Sequence, residues 1–149
     1  MIMKKILMVL AMALALNTTW AFTGEEVISK QALNAFITEF VGATDATWSV
    51  STDCYKVTFT LNGQKLFAFY DTDGQFIAVT RNISSIQLPL NLQGSLKKFS
   101  SSYWISDLFE LSNSSGTGYY VTFENADTKI MLRSVNGSDW YVYEKSKKS

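Results

Sequence analysis

The sequence predicts an α+β fold in which a helix followed by four antiparallel strands occurs twice. The two copies would form an antiparallel sheet of up to eight strands with both helices on one face. The main observation is a repeat: Tyr55 to Phe59 (YKVTF) returns as Tyr119 to Phe123 (YYVTF), sixty-four positions later. Each copy is followed by a polar turn, an apolar run and a second turn, and is preceded by a segment of helical periodicity.

The first 21 of the 149 residues have the features of a secretory signal peptide. Lys4 and Lys5 precede an unbroken apolar run, Ile6 to Leu16, and the small residue Ala21 ends the segment. The apolar run is shorter than the roughly 20 residues that span a bilayer. The mature chain is therefore predicted to begin at Phe22 without a membrane anchor and to be periplasmic or secreted.

Residues 22–149 are expected to form one domain made of two repeats, about 25–83 and 84–145. Loss of Lys4 and Lys5 lowers the basic count from 13 to 11, against 13 acidic residues. The three lysines near the C-terminus (Lys145, Lys147 and Lys148) are interpreted as a solvated tail rather than a basic patch, so a nucleic-acid partner is not predicted. With Cys54 as its only cysteine, the chain cannot form an internal disulfide.

The first repeat is expected to open with a helix. Thr23 to Glu26 has the form of a capping box, Ser29 is a second possible cap, and Gly42 would end the helix. The predicted apolar stripe consists of Leu33, Phe36, Ile37, Phe40 and Val41. Four strands then follow with period two, joined at hairpin signals such as Asn62-Gly63 and Asp73-Gly74.

The second repeat is expected to begin its helix at Pro89, because the missing N–H of proline would have no partner in a first helical turn. Leu92, Leu96 and Phe99 form its stripe. Strands are predicted at Trp104 to Leu111, Tyr119 to Glu124, Lys129 to Ser134 and Asp139 to Glu144. Asn113 to Gly118 is interpreted as a long polar hairpin loop.

Catalytic chemistry has little support in these residues. The sequence has no histidine, the commonest general base near neutral pH and the commonest metal ligand. Cys54 is interpreted as a small strand residue, with an exposed thiol that could form a dimer as the alternative, and Asp71 to Gly74 as a turn rather than part of a calcium loop. We therefore predict no catalytic residues, no metal site and no cofactor.

The side of the sheet that faces away from the helices is the predicted binding surface. Alternation sends Tyr55, Val57, Phe59, Leu66, Ala68, Ile77 and Val79 toward the first helix, and Tyr119, Val121, Phe123, Ile130, Leu132, Trp140 and Val142 toward the second. The predicted partner-binding residues on the opposite side are Phe67, Phe69, Tyr120, Met131, Arg133, Tyr141 and Tyr143, and Phe76 shares their parity. These residue types are enriched in protein interfaces, although cross-strand aromatic pairs also stabilise ordinary sheets.

The chain resembles the PepSY-like family related to the beta-lactamase inhibitory protein, over about residues 26 to 145. The resemblance is carried by Phe36, Phe40, Gly42-Ala43, Trp48, Tyr55-x-Val57-x-Phe59, Tyr70-Asp71-x-Asp73-Gly74, Leu88-Pro89 and Tyr120-x-x-Phe123. It implies a secreted or periplasmic protein with tandem helix plus four-strand units, whose namesake blocks an enzyme with the helix-free face. Val41 stands where the family usually has proline, and the namesake's two disulfides have no counterpart here.

Two functions of different classes follow from these observations. The first is a non-enzymatic protein-binding domain that engages an unidentified protein, with inhibition of an extracytoplasmic enzyme as one form of that activity. The alternative is a small enzyme or apolar-ligand-binding protein with a pocket between the curved sheet and the helix, where Asp and Tyr side chains would act as acid and base. A structural or assembly role also stays open.

Overall fold

The computed structural model describes residues 4–5 and 27–149. Within residues 27–149, eight strands follow one another in chain order in one open sheet, and with two α-helices they confirm the predicted α+β class. The chain divides into two compact units, residues 1–80 and 81–149. The signal-peptide prediction, apart from Lys4 and Lys5, and the predicted capping box at Thr23 lie outside the described residues. No helix within the described ranges is long and apolar enough to cross a membrane.

The first unit contains one helix and a meander of four strands. The elements are α1 (Lys30–Glu39), β1 (Thr44–Val50), β2 (Cys54–Leu61), β3 (Gln64–Asp71) and β4 (Phe76–Asn82). Ser29 caps α1, because its hydroxyl oxygen accepts a hydrogen bond from the backbone N–H of Ala32 at 3.1 Å. Asn62 and Gly63 both have positive φ, as the predicted two-residue hairpin between β2 and β3 requires.

The core of the first unit is a cage of aromatic rings beneath α1. The Phe36 ring lies edge-on to Phe59, with 5.0 Å between centroids, and edge-on to Trp48 at 5.6 Å. Tilted and edge-on arrangements of this kind are favoured by the charge distribution of aromatic rings. Phe59 therefore has the inward orientation that the alternation predicted, and it is buried.

Part of the predicted α1 stripe is wrong. Ile37 and Val41 are exposed, whereas Ala32 is fully buried. The helix ends at Glu39 with Phe40 as its C-cap, so Val41 falls outside it. Ile37 follows the buried Phe36 by one position, which turns its side chain about 100° away from the sheet.

A β-bulge reverses the predicted orientation of Phe76. Tyr70 pairs with Phe76 and Phe69 pairs with Ala78, so Ile77 is the additional residue on β4. The bulge brings Phe76 toward α1, where its ring lies 5.8 Å from Tyr70 and 6.2 Å from Phe40. Phe76 is thus a core residue rather than a companion of Phe67 and Phe69, and Ile77 is not part of the cluster beneath α1.

The second unit repeats the order of one helix and four strands. Its elements are a 3₁₀ turn (Ser85–Gln87), α2 (Leu90–Leu96), β5 (Trp104–Asn113), β6 (Gly116–Glu124), β7 (Thr128–Ser134) and β8 (Tyr141–Lys147). Pro89 is the N-cap of α2, one position before the predicted first turn. Leu92 and Leu96 face the sheet as predicted, and the Phe99 ring stacks on Phe123 at 4.9 Å.

Three predictions for the second unit need correction. The β5–β6 connection is a tight turn at Ser114 and Ser115, because the strands continue to the Asn113–Gly116 pair. Lys145 and Lys147 belong to β8 and pair with β7, so the C-terminal lysines are not a free tail. Val142 pairs with the buried Leu132, yet its side chain remains 67% exposed.

Candidate functional site

We use the term open face, in each unit separately, for the side of the strands opposite the helix, and helix side for the other. The open face of the second unit carries an aromatic row that consists of Phe109, Tyr120 and Tyr143. The rings of Phe109 and Tyr120 are nearly parallel, 5.1 Å apart with 8° between their planes. Tyr143 meets Tyr120 edge-on at 6.0 Å, and the Arg133 guanidinium lies 6.0 Å from the Tyr143 ring.

Strand register explains why these side chains meet. Tyr120 on β6 pairs directly with Phe109 on β5 and with Arg133 on β7, so the three side chains project from the same side of the sheet. A bulge in β8 shifts the register between Met131 and Leu132, which makes Tyr143 the additional residue. Bulges re-aim side chains in this way, and here Tyr143 reaches the end of the aromatic row.

The open face of the second unit grades from buried to exposed across its strands. Phe109, Tyr120 and Met131 are at most 3% exposed, Arg133 and Tyr143 are half-buried, and Tyr141 is 57% exposed. Side chains on inner strands have cross-strand neighbours on both sides, whereas those on β8 have neighbours on one side only. The accessible part of the predicted site is therefore Arg133, Tyr141 and Tyr143.

The electrostatics of this surface suit binding better than proton transfer. Burial raises the pKa of Tyr120, Arg133 lowers it and Tyr143 raises it again, with a net increase that keeps the hydroxyl protonated at neutral pH. Burial also raises the pKa of Asp107, which pairs with Thr122 on the same face. The Thr122 hydroxyl is buried and has no hydrogen-bond partner among the described residues.

The open face of the first unit has a different character. Phe67 lies beneath two lysine side chains, with the ammonium groups of Lys56 and Lys65 at 4.8 and 5.9 Å from the ring centroid. Burial lowers the pKa of Lys56, and the neighbouring Lys65 lowers it further. Phe69 is completely buried. The predicted residues Phe67 and Phe69 thus offer little accessible surface, whereas Tyr141 on the open face of the second unit is 57% exposed.

Asp71 ends the open face of the first unit and organises the following turn. Its Oδ1 accepts hydrogen bonds from the backbone N–H groups of Asp73 at 3.1 Å and Gln75 at 2.9 Å. Burial alone would raise the pKa of Asp71, but Lys5 at 2.6 Å and these hydrogen bonds give a net decrease. These contacts support the interpretation of Asp71 to Gly74 as a turn. Removal of the predicted signal peptide would eliminate the contact with Lys5.

In the first unit, side chains fill the space in which the alternative function would require a pocket between sheet and helix. The aromatic cage fills the space beneath α1, and the Tyr70 ring within it is fully buried. Burial raises the pKa of Tyr70, and Glu39 raises it further, so this phenol does not act as a base near neutral pH. An open groove of about 680 Å³ lies instead along α1 and the β3–β4 turn, lined by residues such as Asn34, Glu39 and Gln75.

Cys54 is buried. Burial raises the pKa of its thiol, and a hydrogen bond with Ser51 opposes that increase. A higher pKa reduces the thiolate fraction, which is the reactive form. No group of three or more potential metal-binding side chains occurs in residues 4–5 and 27–149.

Sequence reasoning missed Phe109. Strand β5 has large apolar residues at both parities, among them Leu108 and Phe109, so alternation alone does not identify its two sides. The repeat does not show which side of the sheet the β5 side chains face, because β5 precedes the repeated YYVTF segment. The parity of β5 could have been fixed only by its pairing with β6, which brings Phe109 opposite Tyr120.

Neither protein-family models nor curated protein sequences match the chain. Several solved structures are similar to the chain in fold. A BLIP-like protein from Bacteroides fragilis superposes with a TM-score of 0.70 at 18% identity, over 83% of this chain and 89% of that one. The fold is therefore BLIP-like. Membership of the PepSY-like family remains a prediction.

Two further crystal structures are similar in fold. A DUF2874 family protein from Bacteroides uniformis has a TM-score of 0.69 at 12% identity, covering 81% of this chain and 90% of that one. A protein from Bacteroides eggerthii, provisionally described as periplasmic, has a TM-score of 0.68 at 12% identity, with 81% and 89% covered. At these identities the similarity concerns the fold, and function has to be argued from the site.

Proposed function

We propose that this chain is a non-enzymatic, extracytoplasmic protein-binding domain that engages a protein partner through the open face of its second unit. The observation that carries the proposal is the aromatic row, which leads from the buried Phe109 and Tyr120 to the accessible Tyr143, Tyr141 and Arg133. Tyrosine and arginine are the residue types that most often dominate binding energy in protein interfaces. A rigid, stacked base also lowers the entropic cost of ordering the contact residues.

Inhibition of an extracytoplasmic enzyme is the more specific form of this proposal. The BLIP-like fold supports it only by analogy, because one fold can present different surfaces to different targets. The predicted signal peptide, residues 1–21, and the neighbour described as periplasmic support a location outside the cytoplasm. Residues 22–149 would then be the mature binding domain.

The proposal can be tested by affinity capture from the extracytoplasmic fraction of the source cells. Immobilised mature protein should retain a partner that the Tyr141→Ala variant loses, because the side chain of Tyr141 is accessible and makes no ring contact or hydrogen bond within the described ranges. Leu90→Ala is the matched control, since Leu90 is also exposed but lies on α2, on the helix side. Retention that is equal for all three proteins would contradict the proposal. The captured partner, if it is an enzyme, would be assayed with and without the mature protein.

A further inference from the structure

The two arginines of the chain have different environments. Arg81 forms a bidentate ion pair with Glu110, with Nε 3.0 Å from Oε1 and Nη2 3.1 Å from Oε2. Arg133 takes part in none of the ion pairs that the structure shows within residues 4–5 and 27–149. Its guanidinium instead lies over the ring of Tyr143 at 6.0 Å. A guanidinium on an aromatic ring is held in position, while its N–H donors stay available for an anion.

Arg133 also lines a pocket at the start of β8. The pocket has a volume of about 220 Å³ and is lined by Arg133, Val135, Tyr141, Val142 and Tyr143. Val135, Tyr141 and Val142 are between 54% and 67% exposed. Three large exposed residues at one opening are unusual for a surface shaped by folding alone, and grouped apolar exposure of this kind marks contact sites.

The bulge in β8 shapes this pocket. Leu132 pairs with Val142 and Met131 with Glu144, so Tyr143 is inserted between them and contacts Arg133 and Tyr120. Without the bulge, Tyr143 would itself pair with Met131, the position that Glu144 takes here. The insertion therefore fixes one wall of the pocket against the buried aromatic row and leaves Tyr141 at the rim.

Size and chemistry limit what can occupy the pocket. Its volume is below the range of roughly 300–1,000 Å³ that is typical of small-molecule sites, and it suits a single side chain. Val135 and the tyrosines line it with apolar surface for an aliphatic stem, and Arg133 offers a charged fork of N–H donors at one side. Glutamate and aspartate combine a short apolar stem with a planar carboxylate, the geometry that arginine binds with two parallel hydrogen bonds.

We propose that the pocket at Arg133 receives a glutamate or aspartate side chain of a protein partner, whose carboxylate pairs with the Arg133 guanidinium. Tyr143 holds the guanidinium in place, and Val135 and Tyr141 pack around the stem of the acidic side chain. This inference rests on the proposed function of the open face and specifies the chemistry of the partner. It also gives Arg133 and Arg81 separate roles, the first in recognition and the second within the fold.

The test uses a library of random twelve-residue peptides displayed on phage, selected on mature wild-type protein. We expect enriched peptides to share an acidic residue next to an aliphatic or aromatic one. For the tightest peptide, replacement of that acid by its amide should weaken binding at least tenfold, as measured by fluorescence anisotropy. Arg133→Gln should weaken binding of the acidic peptide to the same extent. Arg133→Gln should change the affinity for the amide peptide less than twofold, because that peptide has no carboxylate to pair with Arg133.

Lys145→Gln controls for loss of charge alone, because it removes a positive charge from an exposed position of β8, the strand that pairs with the strand of Arg133, outside the pocket. This variant should change binding less than twofold. An acidic consensus that persists on Arg133→Gln would overturn the inference while leaving the proposed function intact, as would enriched peptides without a shared acid. Tighter binding of a phosphoserine peptide than of the glutamate peptide would reassign the pocket to phosphate. A wild-type protein that enriches no peptide would contradict both proposals.

Discussion

Trp140 and Tyr141 are adjacent in sequence, but they serve the two sides of the second unit differently. The indole N–H of Trp140 donates a hydrogen bond to the Leu92 carbonyl at 3.1 Å, which ties the start of β8 to α2. Tyr141 points to the open face and is 57% exposed. Because the side chains of a strand alternate, one step along the chain separates a residue that stabilises the fold from one available to a partner.

The second unit also has one stacked pair of aromatic rings on each side of its strands. On the helix side Phe123 stacks on Phe99, and on the open face Tyr120 stacks on Phe109. Both pairs are largely buried, so aromatic content does not distinguish a core from a binding surface. The difference lies at the edge of the sheet, where the helix side is closed by Trp140 and the open face ends in accessible Tyr141 and Arg133.

The largest expected effect concerns the helix side. Phe59→Ala and Phe123→Ala should each lower the free energy of unfolding by about 3 to 5 kcal/mol, because each ring is about 1% exposed and its removal leaves a cavity. Denaturant melts would measure the change. A loss below about 1 kcal/mol at either position would contradict the helix-side packing of that ring.

A pair of variants at the start of β8 tests the contrast between neighbours. Trp140→Phe removes the indole donor and leaves the Leu92 carbonyl without that partner, so we expect a loss of about 1 to 2 kcal/mol. Tyr141→Ala should stay within about 0.5 kcal/mol of wild type, as surface substitutions usually do. Thermal melts of both variants would check this, and equal losses would remove the distinction between the two sides.

Substitution of Tyr120, unlike that of Tyr141, should affect both folding and binding. Tyr120 is only 3% exposed and contacts both Phe109 and Tyr143. Its truncation removes two ring contacts and creates a cavity, so both stability and binding should fall. Tyr141 is therefore the clean probe of binding.

Two buried hydroxyls, one in each unit, should be dispensable for stability. The Tyr70 hydroxyl lies on the helix side of the first unit and the Thr122 hydroxyl on the open face of the second, and neither has a partner among the described residues. Tyr70→Phe and Thr122→Val remove these groups while retaining most of the packing. We expect each to raise the free energy of unfolding by about 1 kcal/mol, measured by denaturant melts. A loss at either position would indicate that the hydroxyl is satisfied in solution.

The smallest effect concerns Glu124 and Lys148. The hydrogen bond from Lys148, at 2.6 Å, and one from Ser106 lower the pKa of Glu124 below its usual value of 4.5. A lowered folded-state pKa stabilises the fold above the usual pKa, and that contribution is lost as pH falls through the lowered pKa. Lys148→Gln should therefore reduce the loss of stability below pH 4.5, by at most about 1 kcal/mol. Melts between pH 2 and pH 7 would measure this change. A stability that depends on pH as it does in the wild type would contradict the ion pair between Glu124 and Lys148.

Local sequence patterns predicted much of the fold. The Ser29 cap, the hairpin at Asn62-Gly63 and the inward orientation of Phe59 each depend on a few neighbouring residues, and the structure contains all three. The eight-stranded antiparallel sheet followed from the repeated YKVTF and YYVTF segments. Features set by a short stretch of chain are accessible to sequence reasoning because no distant contact is needed to specify them.

The errors arose where register depends on pairing between strands. The bulges at Ile77 and Tyr143 each add one residue to a strand, and every side chain beyond such a point changes sides relative to simple alternation. Sequence periodicity therefore assigned Phe76 to the wrong side of the strand and did not predict the bulge at Tyr143. It also did not predict that the accessible part of the candidate site would be concentrated on β8.

Site-specific photo-crosslinking most directly tests whether the open face of the second unit binds a protein. A photoreactive phenylalanine analogue would replace Tyr141 in one variant and Leu90 in another, since both positions are exposed in the same unit but on opposite sides. After irradiation of intact source cells, we expect the Tyr141 variant to form a discrete adduct with one partner protein and the Leu90 variant to form none. Adducts from Leu90 alone, or equal adducts from both positions, would contradict binding through the open face.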